Sequence, residues 1–356
     1  MNLTNGFAFI CPFKTNSGKK ALEHLPVELA SLNAYKPLII TSRELAGWKA
    51  IGTLTNAFGD SGMTLGVFDD VTDTADLNVV EQIRDICVKG QYDSIIALGG
   101  GVIVDVAKIA NLAVSLKVAD ARQLSPETAI RDSLRPLVVI PTAAVTGMET
   151  SKYAFLNKKT FVSVHLMPHL VILDPRLTRA NDGKVIAEAG LAAFGRTLEA
   201  CIAPDKNPFM DAYAFAALRF IRENLMGAVS PSGNKQAALA VANAAAMSGC
   251  VVSNAEEGVV FRLGRIFQHI VHVHPGVIIG MCLNTVLADG MKKDRRLLTD
   301  LLRPLTTDDE YAATPEDKRA DAALNVVNKF MNELYGALKG KIPHTISEAG
   351  IPQYLM

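Results

Sequence analysis

Short, wholly apolar runs alternate with helical-period segments through the first half of the chain, and helical period alone continues through the second. Leu38–Thr41, Thr64–Phe68, Ser94–Leu98, Leu137–Pro141 and Leu170–Asp174 are four or five residues long with little polar interruption. That is the signature of parallel strands buried on both faces rather than of an alternating, half-solvated sheet. Between them, Leu77–Cys87 carries its apolar residues on one helical face, and Gly101–Leu116 reads as a more uniformly apolar helix. Beyond Asp174 no strand pattern is found. Val185–Ala203, Pro208–Leu225 and Gln236–Val252 are alanine-rich helical segments, and Thr306–Glu310 and Thr314–Asp317 read as starts of closing helices. The fold class expected is an α/β domain over residues 1–178 followed by an all-helical domain over 179–356. The apolar segment Gly6–Phe13 reads either as a strand pairing two subunits or as an internal edge strand.

Within the α/β half, the strand at Ser94–Leu98 runs straight into Gly99, Gly100 and Gly101 and then into a helix. Consecutive glycines let backbone N–H groups approach an anion without obstruction from a Cβ, and the following helix points its positive end at the same place. The arrangement suits a nucleotide phosphate at the carboxyl end of the sheet. A tight strand-to-helix turn with no ligand is the alternative, and the spacing is not the G-x-G-x-x-G of the common dinucleotide fingerprint.

Composition narrows the partners. The 356 residues include 36 Lys and Arg against 36 Asp and Glu, with no long block of one sign, so nucleic acid is not an expected partner. Apolar runs are interrupted well before bilayer length, and the opening Met1–Gly6 lacks the basic segment of a secretory signal; no membrane association and a cytoplasmic location are expected. Five scattered cysteines form no C-x-x-C pair and read as reduced core thiols.

The order of motifs resembles the iron-containing, or group III, alcohol dehydrogenase family. The glycine segment is followed by Pro141–Glu149, then Leu166–Pro175, then Asn207–Tyr213. The resemblance spans roughly residues 18–291 and implies the dehydroquinate synthase-like architecture: an N-terminal domain binding NAD or NADP, a helical domain, and a divalent metal. A small-molecule substrate and a homodimer are implied with it. Against the family's G-G-G-S-x-x-D-x-x-K, this chain keeps Gly99, Gly100, Gly101, Asp105 and Lys108, with Val102 in place of the serine. Against P-T-T-A-G-T-G-S-E it keeps Thr142, Thr146, Gly147 and Glu149. Lys159 occupies the place of a family lysine that reaches the cofactor, and Ser151 a place where a hydroxyl is common. The resemblance thus implies cofactor contacts from Gly99, Gly100, Gly101, Asp105, Thr142, Thr146, Ser151 and Lys159. A first-turn acid at Asp105 and solvated surface charge at Lys108 and Lys159 are the plainer readings.

The metal half of the pattern is different. Where the family has Asp and His four residues apart, this chain has Ala192 and Arg196; where it has two further histidines, it has Phe261 and Arg265. The last ligand's motif reads His272-Val-His-Pro-Gly276, which puts Pro275 at the ligand position and His274 one residue early. None of Ala192, Arg196, Phe261 and Pro275 can bind iron or zinc, so no metal is expected at the family site. A substitute site from His269, His272 and His274 is an open alternative. Two imidazoles have become permanent cations, which suit carboxylates and phosphates. One reading is therefore an NAD(P)-dependent, metal-independent oxidoreductase, with Arg196 and Arg265 as catalytic cations acting on a small, anionic carbonyl or alcohol. The other is a catalytically silent paralogue that binds a nucleotide or metabolite. Each arginine could instead form a structural ion pair with Glu199, Glu256 or Glu257.

Overall fold

The computed structural model describes residues 6–142, 144–177, 182–271 and 273–352. They form two compact units: Cys11–Arg179, and Met1–Ile10 together with Ala180–Met356. In the first unit the strands are β1 (Lys14–Ser17), β2 (Pro37–Ile40), β3 (Gly66–Phe68), β4 (Ser94–Leu98), β5 (Leu137–Ile140), β6 (Tyr153–Leu156), β7 (Lys159–Val162) and β8 (Leu170–Leu173). Six of them build one parallel sheet in the order β1-β8-β5-β4-β2-β3, and β6 and β7 form a separate antiparallel hairpin.

Alternate residues of the central strands feed two cores. Leu38, Ile40, Ile95, Ala97, Leu137 and Val139 pack on one face with α3 (Leu77–Gly90) and α4 (Val102–Ser115). Ile39, Ile96, Leu98, Val138 and Ile140 pack on the other with α1 (Leu25–Ser31) and α2 (Lys49–Asn56). Burial on both faces is why these strands are apolar throughout. The polar strand β1, Lys-Thr-Asn-Ser, gives no such signal because it lies at the sheet edge with β8 as its neighbour. The hairpin turns on Asn157 and Lys158, both at positive φ (50° and 61°), as a two-residue turn between right-twisted strands requires.

The second unit is helical among its described residues. Its central helix, α5 (Gly183–Cys201), is buried continuously from Ala189 to Cys201. It packs against α6 (Pro208–Ala228), α7 (Lys235–Asn254), α8 (Val259–Val271) and α9 (Pro275–Lys293). α10 (Arg319–Leu338) adds Phe330, whose ring lies 5.0 Å from that of Phe194. Gly276 lets α9 approach α5 backbone to backbone: a Cβ there would lie 1.8 Å from the Glu188 carbonyl oxygen. α7 is long and apolar enough to cross a bilayer, but two-thirds of its apolar window is buried inside the unit, as in a core helix.

The internal-edge reading of Gly6–Phe13 is not met. Residues 6–13 carry no strand, and the first edge strand begins at Lys14. The Ile10 N–H instead donates to Asn254 Oδ1 at 2.7 Å, and Asn254 Nδ2 donates back to Ile10 O at 2.8 Å. Phe7 and Phe9 pack their rings 5.7 and 5.6 Å from Phe209, so this segment's apolar character serves the helical unit.

Candidate functional site

The connection from β2 leads outward to β3, and the connection from β4 leads the other way to β5, so the strand order reverses between β2 and β4. In open parallel sheets the crevice outside the carboxyl ends at such a point is where ligands bind. The two strand ends are fastened together there: Thr41 Oγ1, fully buried, donates to Leu98 O at 2.8 Å. Gly99 then has φ 153°, and a Cβ on it would meet Ile103 Cδ1 at 2.5 Å; Gly101, at φ 51°, caps α4. Both positions require glycine. The N–H groups of Gly100, Gly101 and Val102 have no acceptor among the described residues. Three successive donors at the N-terminus of a fourteen-residue helix form an anion cradle.

The loop after β5 is shaped from inside. Glu149, 2% exposed, accepts from the N–H of Gly147 (2.8 Å), the N–H of Thr146 (3.1 Å) and Thr146 Oγ1 (3.2 Å). Thr142 is buried at the end of β5. Lys108 is not surface charge: it is wholly buried, and its Nζ donates to three backbone carbonyls, Met148 and Ser151 at 2.8 Å and Tyr153 at 2.9 Å. Ser151 is also wholly buried, with its Oγ donating to Met148 O at 2.9 Å. The Asp105 carboxylate accepts from the Phe155 N–H. Burial pushes Asp105 above the usual carboxylate range and Lys108 below the usual ammonium range, and their mutual attraction opposes both shifts. Lys159 donates to Leu124 O at 3.3 Å. The sequence-read candidates therefore divide. Gly99, Gly100 and Gly101 line the cradle with Thr142 and Thr146 on the neighbouring loop, while Asp105, Ser151 and Lys159 hold that loop and hairpin to the unit.

In the helical unit the residues at the family's metal positions form packed contacts. Ala192 is fully buried against Val260 and Ile279. The Arg196 guanidinium, in a side chain 5% exposed, lies 5.2 Å from the Phe261 ring centroid, and that of Arg265 lies 5.8 Å from the same ring. Both distances suit cation–π attraction. Arg265 also sits 3.6 Å from Glu257, one of the three acids considered as an ion-pair partner for either arginine. Glu199 pairs with neither arginine here. Its oxygens accept from the N–H groups of Val260 (2.7 Å) and Phe261 (3.0 Å), capping α8, and burial raises its pKa. His274 caps α9, its Nδ1 accepting from the Gly276 N–H at 3.1 Å. Burial first, then the Arg196 and Lys184 charges, lower its pKa to about 4. No group of three or more His, Cys, Asp or Glu side chains among the described residues could hold a metal ion; His272 and the His269 side chain lie outside those residues.

The strand order brings Ser42 and Arg43, which follow β2, beside the glycine turn that follows β4.

Residues 12–175 match the iron-containing alcohol dehydrogenase family, and residues 186–353 match the C-terminal region of the Fe-containing alcohol dehydrogenase family. The chain is 26% identical over 350 residues to long-chain-alcohol dehydrogenase 1 of Geobacillus thermodenitrificans (strain NG80-2), covering 97% of this chain and 87% of that protein. A solved 1,3-propanediol oxidoreductase superposes with TM-score 0.87 at 22% identity, over 98% of this chain and 91% of the other. Sulfoacetaldehyde reductase from Bifidobacterium kashiwanohense, solved in complex with NAD+, gives TM-score 0.83 at 18% identity, over 99% and 91%. With both halves matched and the glycine segment retained, the chain belongs to the iron-containing alcohol dehydrogenase family, as a member in which no cluster of metal-ligating side chains is found among the described residues.

Proposed function

We propose that this protein is an NAD(P)-dependent oxidoreductase that interconverts a small, anionic carbonyl compound and its alcohol without a metal ion. The observation that carries the reading is the cradle: three N–H groups, at Gly100, Gly101 and Val102, with no acceptor among the described residues, at the reversal of strand order in a parallel sheet. The groups fit a pyrophosphate. When bound, the dinucleotide supplies or accepts the hydride; the chain's residues hold and orient it. Gly99 and Gly101 keep the backbone open to the phosphates, and Thr142 and Thr146 border them on the loop that Lys108 and Glu149 hold in shape.

The family's metal does not fit these residues, because an alanine methyl, a phenyl ring, a guanidinium and a proline offer no ligand to a divalent ion. Without a metal, the alkoxide charge needs another stabilising group, and Arg196 and Arg265 are the cations assigned to that task. Arg265, about a quarter exposed and at 3.6 Å from Glu257, carries a guanidinium of the kind that takes a carboxylate, phosphate or sulfonate, which supports its assignment to the substrate. Sulfoacetaldehyde reductase, a protein of this fold, is named for an anionic aldehyde, which supports the substrate class. A homodimer is part of the same proposal and is checked by light scattering.

The second reading, a silent nucleotide-binding paralogue, is favoured by one observation. The residue at 265 is an arginine, which stays protonated throughout the physiological range and cannot relay a proton to an alkoxide. Oxidation of NADH and NADPH with a panel of keto acids and of phosphorylated and sulfonated aldehydes, in the presence of a chelator, separates the two. Turnover that Arg265→Ala impairs through KM and Arg196→Ala through kcat supports the enzyme. Tight dinucleotide binding with no turnover on any of the panel supports the silent binder.

A further inference from the structure

We propose that the amino end of the parallel sheet carries a second ligand site, for a carboxylate joined to an apolar body, with Arg135 and Lys117 holding the carboxylate. The inference is independent of the nucleotide reading. β4 separates Asp93 at its amino end from Gly99 at its carboxyl end, a span of about 20 Å in extended chain. At the amino end a cavity of about 720 Å³ opens between the last turns of α3 and α4. That volume suits a small organic molecule. Its walls are largely apolar: Cys87, Val88 and Tyr92 from α3 and the turn after it, and Ala113, Val114 and Val118 from α4 and its turn. The Cys87 thiol is 2% exposed, and burial pushes it up to about 11 against the pull of the Arg135 charge, so it stays neutral and adds to the apolar wall. The Tyr92 ring is wedged in place, since a Cβ on either Gly66 or Gly90 would lie 2.3 Å from it.

The carboxyl end of a helix ordinarily repels an anion, because its last carbonyls are unpaired. Here the chain uses those carbonyls itself. Gln91 (φ 53°) and Lys117 (φ 52°) turn back in the left-handed conformation, and the Tyr92 N–H donates to Cys87 O at 3.0 Å and the Val118 N–H to Ala113 O at 3.2 Å. The acids are engaged as well. Asp93 accepts from the N–H groups of Tyr35 (2.7 Å) and Lys36 (3.0 Å) and from Ser94 Oγ (2.8 Å), while Glu81 and Asp85 share Arg84 Nη2 at 2.5 and 2.6 Å. Arg135 and Lys117 line the cavity with no carboxylate partner among the described residues. The Arg135 backbone is clamped to α4: its N–H donates to Ser115 Oγ, and its carbonyl accepts from the buried Asn111 Nδ2, both at 2.9 Å. One guanidinium nitrogen, Nη1, donates to Tyr92 O, which leaves the Nε and Nη2 edge of the fork for the two oxygens of a carboxylate. Lys117 stands where the backbone favours glycine, and the cation is what glycine would lack.

The test is calorimetric titration of the full chain with naphthalene-2-carboxylate and, as the uncharged control, naphthalene-2-carboxamide, with circular dichroism confirming the fold of each variant. The acid should bind about tenfold or more tighter than the amide. Arg135→Gln should weaken the acid about tenfold and leave the amide within about twofold. Lys117→Gly removes a cation and relieves the left-handed backbone, so the acid should bind about threefold or more weakly while the melting temperature rises by about 2 °C. This variant decides the matter alone where Arg135→Gln does not fold. Acid and amide bound alike, or no binding of the acid, overturns the site. Acid binding that both variants leave unchanged overturns it too, and its loss in Arg265→Ala would then place the ligand on the helical unit.

Discussion

Replacing Lys108 by methionine keeps the length and volume of the side chain and removes the ammonium, so it isolates what three hydrogen bonds do. The Met148, Ser151 and Tyr153 carbonyls each lose a charged donor at 2.8–2.9 Å, in a place where Lys108 has no exposed surface and water does not replace it. An orphaned buried carbonyl costs about 1–3 kcal/mol, and relief from burying a charge offsets part of the total. The net loss expected is about 3–5 kcal/mol, the usual cost of breaking a buried charge network from one side. The assay has a built-in reporter: Trp48 is the sole tryptophan and packs against both cores of the α/β unit. Its fluorescence therefore follows unfolding of that unit. With a urea slope of about 2 kcal/mol per molar, the Trp48 midpoint should fall by about 2 M in Lys108→Met. A fall under about 0.5 M would refute the reasoning, since it would mean that the three carbonyls find other donors.

His274 contributes stability that is present above pH 6.5 and lost as pH falls through about 4, because between those values the unfolded chain takes up a proton that the folded site refuses. His274→Asn keeps a capping acceptor and abolishes this loss, which approaches about 3 kcal/mol; parallel pH dependences of the urea midpoints in the two proteins would contradict it. Gly258→Ala would put a Cβ 1.9 Å from Glu199 Cδ and drive that carboxylate off the Val260 and Phe261 N–H groups. A loss of about 2–4 kcal/mol is expected in thermal unfolding, and much of it should be missing when the same change is made in a Glu199→Ala background. Protein exposed to Fe²⁺ or Zn²⁺ and then desalted should retain far less than one equivalent by plasma emission, with chelator leaving the melting temperature unchanged. A stoichiometric, stabilising ion would refute the argument from the donor set.

The central strands were legible because burial on both faces leaves continuous apolar runs, as at Ser94–Leu98 and Leu137–Ile140. β1 was not, since an edge strand with polar side chains carries no such run. The β6–β7 hairpin was hidden by its turn: Asn157-Lys158 adopts the conformation that Asn-Gly advertises, with lysine at a positive φ that sequence gives no reason to expect. At the candidate site the glycines were readable from chemistry alone. Lys108 was not, because an ammonium three residues from an acid on a helix resembles an exposed ion pair, and only tertiary structure shows the three carbonyls that enclose it.

The burial of Ala192 against Val260 and Ile279 limits what that position can become. A single step toward a metal site, Ala192→Asp, would put a carboxylate into an apolar contact with no ion to neutralise it, at a cost of several kcal/mol. An ion would be held only once three or four ligands had returned together. The side-chain packing around Ala192 therefore stands against building a metal site one residue at a time, and lets the apolar core, rather than any ion, decide what position 192 can hold.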